Sequence, residues 1–126
     1  MTPETMLWRQ VHPSFVQAGR ITSQVFRPSP KDKGRLSVYD GDQITAEGAW
    51  EHYTEELEYE SIGVMGVTVQ ECQNQDLEAR PDPAPFPEHA VIDFSGFSGN
   101  QIKKKAKRLK RVALSRGWQY RAEDQS

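Results

Sequence analysis

The sequence predicts a small α+β domain, in which a mostly antiparallel sheet of about four strands carries two main helices on one face. Three observations predict this fold. The chain has 126 residues, which is the usual length of one domain. Segments with strand-like and helix-like patterns alternate in mixed order, and the links between them are short. We therefore interpret residues 1–126 as a single domain.

The N-terminal third predicts an irregular start followed by two strands. Residues 1–20 are expected to be irregular because Pro13 interrupts any long helix. Residues 21–27 and 35–39 are rich in β-branched and aromatic side chains, which favours strands. The polar segment between them has the length of a hairpin loop.

The middle of the chain predicts a helix over residues 45–58. Thr45 is placed to cap its first turn, and the opposite side of the helix is strongly acidic. Apolar residues recur at helical spacing and form one stripe. The stripe consists of Ala46, Ala49, Trp50, Tyr53 and Leu57.

Two further strands and a long loop are predicted between residues 62 and 94. Residues 62–69 and 89–94 read as strands because they are short, apolar and β-branched. Between them, prolines at every second position from Pro81 to Pro87 exclude a helix. We expect a proline-rich loop over residues 73–88.

The C-terminal helix is predicted over residues 98–116, followed by a short tail at 119–126. Ser98 and Gln101 have the spacing of a capping box, in which each side chain binds the other residue's amide. Gly117 suits the position just after the last turn.

Charge is strongly segregated along the chain although the net charge is only −2. Residues 36–100 carry a net charge of −13, whereas residues 101–121 carry nine basic residues and no acid. A dense basic helix predicts a contact with nucleic acid or an acidic protein. The alternatives are pairing between this helix and the acidic helix at 45–58, or a basic face that is simply solvated. The predicted contact residues are Lys103, Lys104, Lys107, Arg108, Lys110, Arg111, Trp118 and Tyr120.

Composition narrows the class of protein. The single cysteine, Cys72, excludes an internal disulfide, and the three histidines lack the paired spacing of a metal site. No segment approaches the ~20 apolar residues of a membrane span. We expect a cytoplasmic protein with no membrane association, no metal and no cofactor. The sequence leaves the oligomeric state open.

A second function class follows from a loose resemblance. Leu7-Trp8-Arg9, the segment 34–39 and the helix bearing Ala46 and Ala49 resemble RES-domain toxins, which are related to ADP-ribosyltransferases. The resemblance implies a small enzyme acting on NAD or a nucleotide. The residues implied to line its nicotinamide pocket are Arg27, Tyr39 and Glu51. The family's Gly-Gly-Arg-Trp-Asn stretch is missing from this chain.

Overall fold

A computed structural model describes residues 1–122 and shows one six-stranded antiparallel sheet with a separate two-stranded hairpin. Of the predicted tail at 119–126, residues 123–126 lie outside the described part. The strand order in the main sheet is β6-β7-β4-β1-β5-β8, and β2 pairs with β3. The strands are β1 Met6–Gln10, β2 Val16–Gln17, β3 Arg20–Ile21, β4 Arg35–Asp40, β5 Gly63–Thr68, β6 Glu78–Pro81, β7 His89–Asp93 and β8 Tyr120–Arg121.

Three α-helices accompany the sheet in the described residues: α1 at Ala46–Glu51, α2 at Val69–Gln73 and α3 at Gly99–Arg116. The chain continues from α1 as a π-helical turn, His52–Glu56. Both predicted helix starts are capped as expected. The Thr45 hydroxyl accepts from the Gly48 amide at 3.0 Å. Ser98 and Gln101 form the reciprocal capping box.

The α+β class is confirmed, but the predicted number of about four strands is wrong. β1 is a central strand inside the segment that was expected to be irregular. β6 is an edge strand inside the expected loop 73–88, and β8 adds the other edge. The predicted strand at 21–27 is absent: Ser23–Phe26 forms a 3-10 helix that buries Val25 and Phe26 completely.

The prediction that both main helices lie on one face of the sheet is also wrong. Side chains alternate along β1, and Leu7 joins the buried cluster that contains Leu109 of α3. Trp8 and Gln10 point to the other face, where their side chains donate to the carbonyls of Ile44 and Ala49, at the start of α1 and within it. α1 and α3 therefore cover opposite faces, because β1 lies in the middle of the sheet and has to be buried on both sides.

A glycine in β5 makes room for the α1 side of this packing. A Cβ atom at Gly66 would lie 2.9 Å from the Trp8 ring, closer than carbon atoms approach without a shift. Trp8 and Gly66 are direct cross-strand partners. The absence of a side chain at Gly66 leaves room for the Trp8 ring and the end of the Met6 side chain on the neighbouring strand.

Arg116 anchors the C-terminal end of α3. Its guanidinium binds both carboxylate oxygens of Glu71 at 2.9 and 2.8 Å and donates to the Gly66 carbonyl at 2.9 Å. Glu71 also accepts from the Thr68 amide as part of the α2 capping box. Burial by itself raises the pKa of the Glu71 carboxyl, but hydrogen bonds from Arg116 and Thr68 outweigh it and lower the pKa.

We expect Glu71→Gln to reduce the free energy of unfolding by about 1 kcal/mol at pH 7, because the pair is bidentate but partly exposed. The folded-state pKa of Glu71 lies below its unfolded value, so its contribution is present above pH ~4.3 and disappears as pH falls through the folded pKa. Urea unfolding from pH 7 to pH 3 measures this.

Glu78→Gln is the matched control, since Glu78 pairs with Arg80 at the exposed edge of the sheet. Its effect should be smaller. An equal loss for Glu71→Gln at pH 3 and pH 7 would contradict the proposed role of the charged carboxylate.

Candidate functional site

The outer face of α3 carries the predicted basic residues. At 100° per residue, six of them fall within less than half of the helix circumference. Ala106, Leu109 and Ala113 form the opposite, buried side. We call these six residues the α3 cationic face. Its members are Lys103, Lys104, Lys107, Arg108 and Arg111, which are exposed, and Lys110, which is half-buried.

The charges of this face have no carboxylate partner among the residues that the structure describes. Within residues 1–122, no carboxylate lies within 4.0 Å of any of the six; the ion pair of α3 is made by Arg116 instead. Arg108 donates to the neutral side chain of Gln75 at 3.2 Å. The alternative of pairing with the acidic helix at 45–58 is therefore wrong, because the sheet separates the two helices.

Three neighbouring residues have internal roles. Lys105 is buried, and its Nζ donates to the Gln75 carbonyl while lying 4.2 Å from the centre of the Phe97 ring. Trp118 packs against the main core. Tyr120 belongs to β8 and lies 5.3 Å from the Trp50 ring. Trp118 and Tyr120, predicted as contact residues, are thus engaged in packing, and the Tyr120 ring lies against α1 rather than beside the α3 cationic face.

A cavity of about 550 Å³ lies where β1 and β4 separate. The two strands pair only at Leu7–Asp40 and Trp8–Tyr39. Beyond that point the Arg9 side chain fills the gap, with Nε donating to the Val25 carbonyl at 2.7 Å and Nη1 to the Ser37 carbonyl at 2.9 Å. We call this space the Arg9 cavity. A second cavity of about 450 Å³ adjoins it across Arg9.

Arg9 has no carboxylate partner in the described part of the chain. Burial lowers the pKa of its guanidinium to about 10, with smaller opposing effects from Tyr53 and Asp32. The group therefore stays charged at neutral pH. The carboxylate of Asp32 lies on the cavity wall, but it is already held by the amide and hydroxyl of Ser29.

Tyr39 lines the Arg9 cavity and is held by a hydrogen-bond chain. Its hydroxyl is 2.8 Å from His52 Nδ1, and His52 Nε2 is 3.3 Å from a Glu56 carboxylate oxygen. The carboxylate requires a proton on Nε2, so we assign Nδ1 as the acceptor and Tyr39 as the donor. Burial, followed by the nearby Tyr53, Glu88 and Glu56, raises the pKa of Tyr39. Tyr39 is therefore a neutral hydrogen-bonding group rather than an ionised nucleophile.

His89 lines the cavity and forms a hydrogen bond with a second hydroxyl group of the wall, that of Ser37. Its Nε2 lies 3.1 Å from the exposed Ser37 hydroxyl, and its Nδ1 lies 2.8 Å from the Asp82 carbonyl. The Asp82 carboxylate is farther away, at 3.5 Å. The ring is thus oriented mainly by a backbone carbonyl, and it fixes the position of Ser37.

The residues implied by the toxin resemblance are not brought to one site. Tyr39 lines the Arg9 cavity and Arg27 lines the adjoining cavity. Glu51 is exposed on α1 and lines neither of them. An NAD site built from these three residues has no geometric support.

Comparison with known protein families, with curated proteins and with solved structures found no match. Within residues 1–122, no helix has the length and apolar character needed to cross a bilayer. The same residues contain no group of three His, Cys, Asp or Glu side chains arranged to hold a metal ion. The α3 cationic face and the Arg9 cavity are therefore the two candidate functional sites.

Sequence patterns missed Arg9 and Gln10 as site residues. Both belong to a strand whose apolar alternation is too short to recognise, and Pro13 follows closely. The available signal was a cation and an amide between the bulky apolar residues Trp8 and Val11. Polar side chains between bulky apolar neighbours in a strand are either exposed to solvent or part of a binding site.

We expect Tyr39→Phe to lower the free energy of unfolding by about 1 kcal/mol, because it removes a partly buried hydrogen bond to His52. Tyr59→Phe is the matched control, since Tyr59 is 59% exposed. Denaturant unfolding measures both variants. Equal effects of the two substitutions would show that the Tyr39–His52 bond contributes nothing to stability.

Proposed function

We propose that the protein binds nucleic acid through the α3 cationic face, using contacts to phosphates. The observation that supports this proposal is the row of six cations without a carboxylate partner in the described structure. Lys and Arg side chains arranged along one helix face release counterions when they neutralise phosphates, and this drives association. Phosphate contacts carry no sequence information. Binding is therefore expected to be indifferent to sequence.

The cationic face reduces the stability of the isolated protein. Lys103 and Lys107, Lys104 and Arg108, and Lys107 and Arg111 are like-charged pairs at i,i+4. Each such pair destabilises a helix by roughly 0.2–0.5 kcal/mol. The capping box at Ser98 and the Arg116–Glu71 pair hold the two helix ends against this repulsion. A polyanion laid along the helix would relieve it.

Three features favour nucleic acid over an acidic protein. α3 is a regular helix, so its six cations lie along about 12 Å of one face, between Lys103 and Arg111. A short stretch of phosphate backbone can follow this face. Lys predominates on the face, and Lys binds phosphate as a point charge without the planar pairing that Arg offers to carboxylates. Trp118 and Tyr120 are engaged in packing, which leaves little aromatic area for a protein interface.

The acidic middle of the chain restricts how nucleic acid approaches. Glu47, Glu51 and Glu55 are exposed on and just beyond α1, on the other face of the sheet. Charges separated by more than about 8 Å are largely screened at physiological salt, so these acids do not cancel the α3 cationic face. They do repel a polyanion from their own side. This gives binding one orientation. Binding of nucleic acid is compatible with the cytoplasmic location expected from the sequence.

We expect weak binding of single-stranded and double-stranded nucleic acid at low salt, lost steeply as salt rises. The slope of log K against log salt should be about −0.7 to −0.9 for each phosphate contact. Changing Lys103, Lys104 and Lys107 together to Gln should weaken binding at least tenfold and make the slope less steep by about two to three. Fluorescence anisotropy with labelled oligonucleotides across a salt series measures both quantities.

The matched control changes Arg20, Lys33 and Arg35 to Gln, which alters net charge equally at exposed positions outside α3. It should leave the slope nearly unchanged. Equal weakening by the two triple variants would mean that net charge alone drives binding. An absence of binding by the wild-type protein at low salt would overturn the proposal and leave an acidic protein as the partner to be sought.

A further inference from the structure

We propose that the Arg9 cavity binds a small molecule in which one oxyanion group is joined to a flat ring carrying an N–H donor. This is the chemistry of a nucleoside monophosphate, and it is shared by N–H-bearing aromatic carboxylates. The proposal is independent of nucleic-acid binding by α3. Three features of the cavity wall support it: an unneutralised guanidinium, a cluster of aromatic rings and a buried acceptor without a donor.

Arg9 supplies the recognition of the oxyanion. Two carbonyl oxygens, of Val25 and Ser37, orient the guanidinium, and a guanidinium has five N–H donors in all. Carbonyls satisfy donors without cancelling the positive charge, and no carboxylate of residues 1–122 lies within 4.0 Å to do so. Arg9 is half-buried, and a charge that is partly removed from water and unpaired is costly. An incoming phosphate or carboxylate removes that cost.

The charged groups near Arg9 favour a ligand with one oxyanion group over a ligand with several, such as a diphosphate or triphosphate. Lys31 lines the same cavity and adds a second positive charge, while Asp32 beside it is negative but already hydrogen-bonded to Ser29. The negative charges of Glu56 and Glu88 are near enough to Tyr39 to raise its pKa. The same charges would repel additional phosphates, so the cavity is suited to a monophosphate.

The aromatic side chains supply the recognition of the ring. Phe86 lies 5.1 Å from the Tyr39 ring, and Tyr53 lies 5.2 Å from the Tyr59 ring. All four side chains line the cavity, together with Trp8. Stacking of a nucleic-acid base on an aromatic side chain is worth about 1–3 kcal/mol. Two such walls in a cavity of about 550 Å³ are suited to a ligand of mononucleotide size.

Gln10 supplies the recognition of the N–H donor. It is 6% exposed and lines the cavity, and its Nε2 donates to the Ala49 carbonyl at 3.0 Å. That bond fixes the orientation of the amide and leaves Oε1 buried without a donor among residues 1–122. Buried acceptors are normally satisfied. Oε1 is covered in the free protein, so a base amine, a ring N–H or an indole N–H would supply the missing donor once the side chains that cover Oε1 move aside.

Isothermal titration calorimetry with the full chain tests the proposal. The nucleotide probes are AMP, GMP, CMP and UMP; the carboxylate probes are anthranilate and indole-3-acetate. Inorganic phosphate and adenosine represent the two halves of a nucleotide and should each bind at least tenfold more weakly than the better nucleotides. Which group of probes binds assigns the source of the ligand.

Arg9→Gln should weaken binding at least tenfold, while Arg35→Gln, an exposed substitution on β4, should leave it unchanged. Phe86→Leu keeps bulk but removes a ring, and should weaken nucleotide binding several-fold without affecting inorganic phosphate. The triple Gln variant of α3 should bind the small ligands like wild type, which separates this site from the proposed nucleic-acid surface.

One measurement does not depend on any variant folding. In wild-type protein the Arg9 Nε–H resonance should shift on addition of a binding nucleotide or aromatic carboxylate. Equal affinities of wild type and folded Arg9→Gln would overturn the proposal. So would the absence of both heat and an Arg9 resonance shift with every probe at millimolar concentration.

Discussion

The whole arrangement depends on burying both faces of the central strands β1 and β5. Leu7, Met65 and Val67 on one face belong to the core beneath α3. Trp8 on the other face hydrogen-bonds to the segment that starts α1. A sheet with two apolar faces needs a covering layer on each, so the two main helices are placed on opposite sides. α1 covers only part of one face of the sheet. The Arg9 cavity lies next to the covered part, against residues 37–39 of β4.

The same layering determines the electrostatics. A basic helix and an acidic helix of nearly complementary charge would pair if they lay side by side, and the protein would then present little positive surface. With the sheet between them, neither helix compensates the other, and each faces solvent with its own charge. The small net charge of −2 is therefore the sum of strongly charged surfaces of opposite sign. In the two proposals, the polyanion is bound by the α3 cationic face and the small anion by the Arg9 cavity, which do not share lining residues.

Local signals predicted much of the fold, and long-range pairing accounts for what was missed. Caps at Thr45 and Ser98 identified both main helices, because capping depends on residues three apart in the chain. β8 has two residues and β6 has four, the last of them Pro81, so neither is long enough to show the alternation of apolar and polar residues that identifies a strand. The basic residues of α3 were evident from composition. Arg9 was not, because its role arises only where β1 and β4 separate, and that separation is a property of two distant segments.

Both proposed sites hold positive charge without a carboxylate partner in residues 1–122, but the energetic cost differs between them. On α3 the charges are solvated, and their mutual repulsion is a small cost spread over many pairs. At Arg9 a single charge is partly withdrawn from water, so the cost is concentrated in one group. An anion bound at Arg9 would therefore gain from a preorganised guanidinium that is already partly desolvated in the folded protein. A polyanion on α3 gains chiefly from counterion release. The first kind of binding would be selective for shape and weakly dependent on salt, and the second would be the reverse. With both proposed sites, one small domain would discriminate between its two anionic ligands.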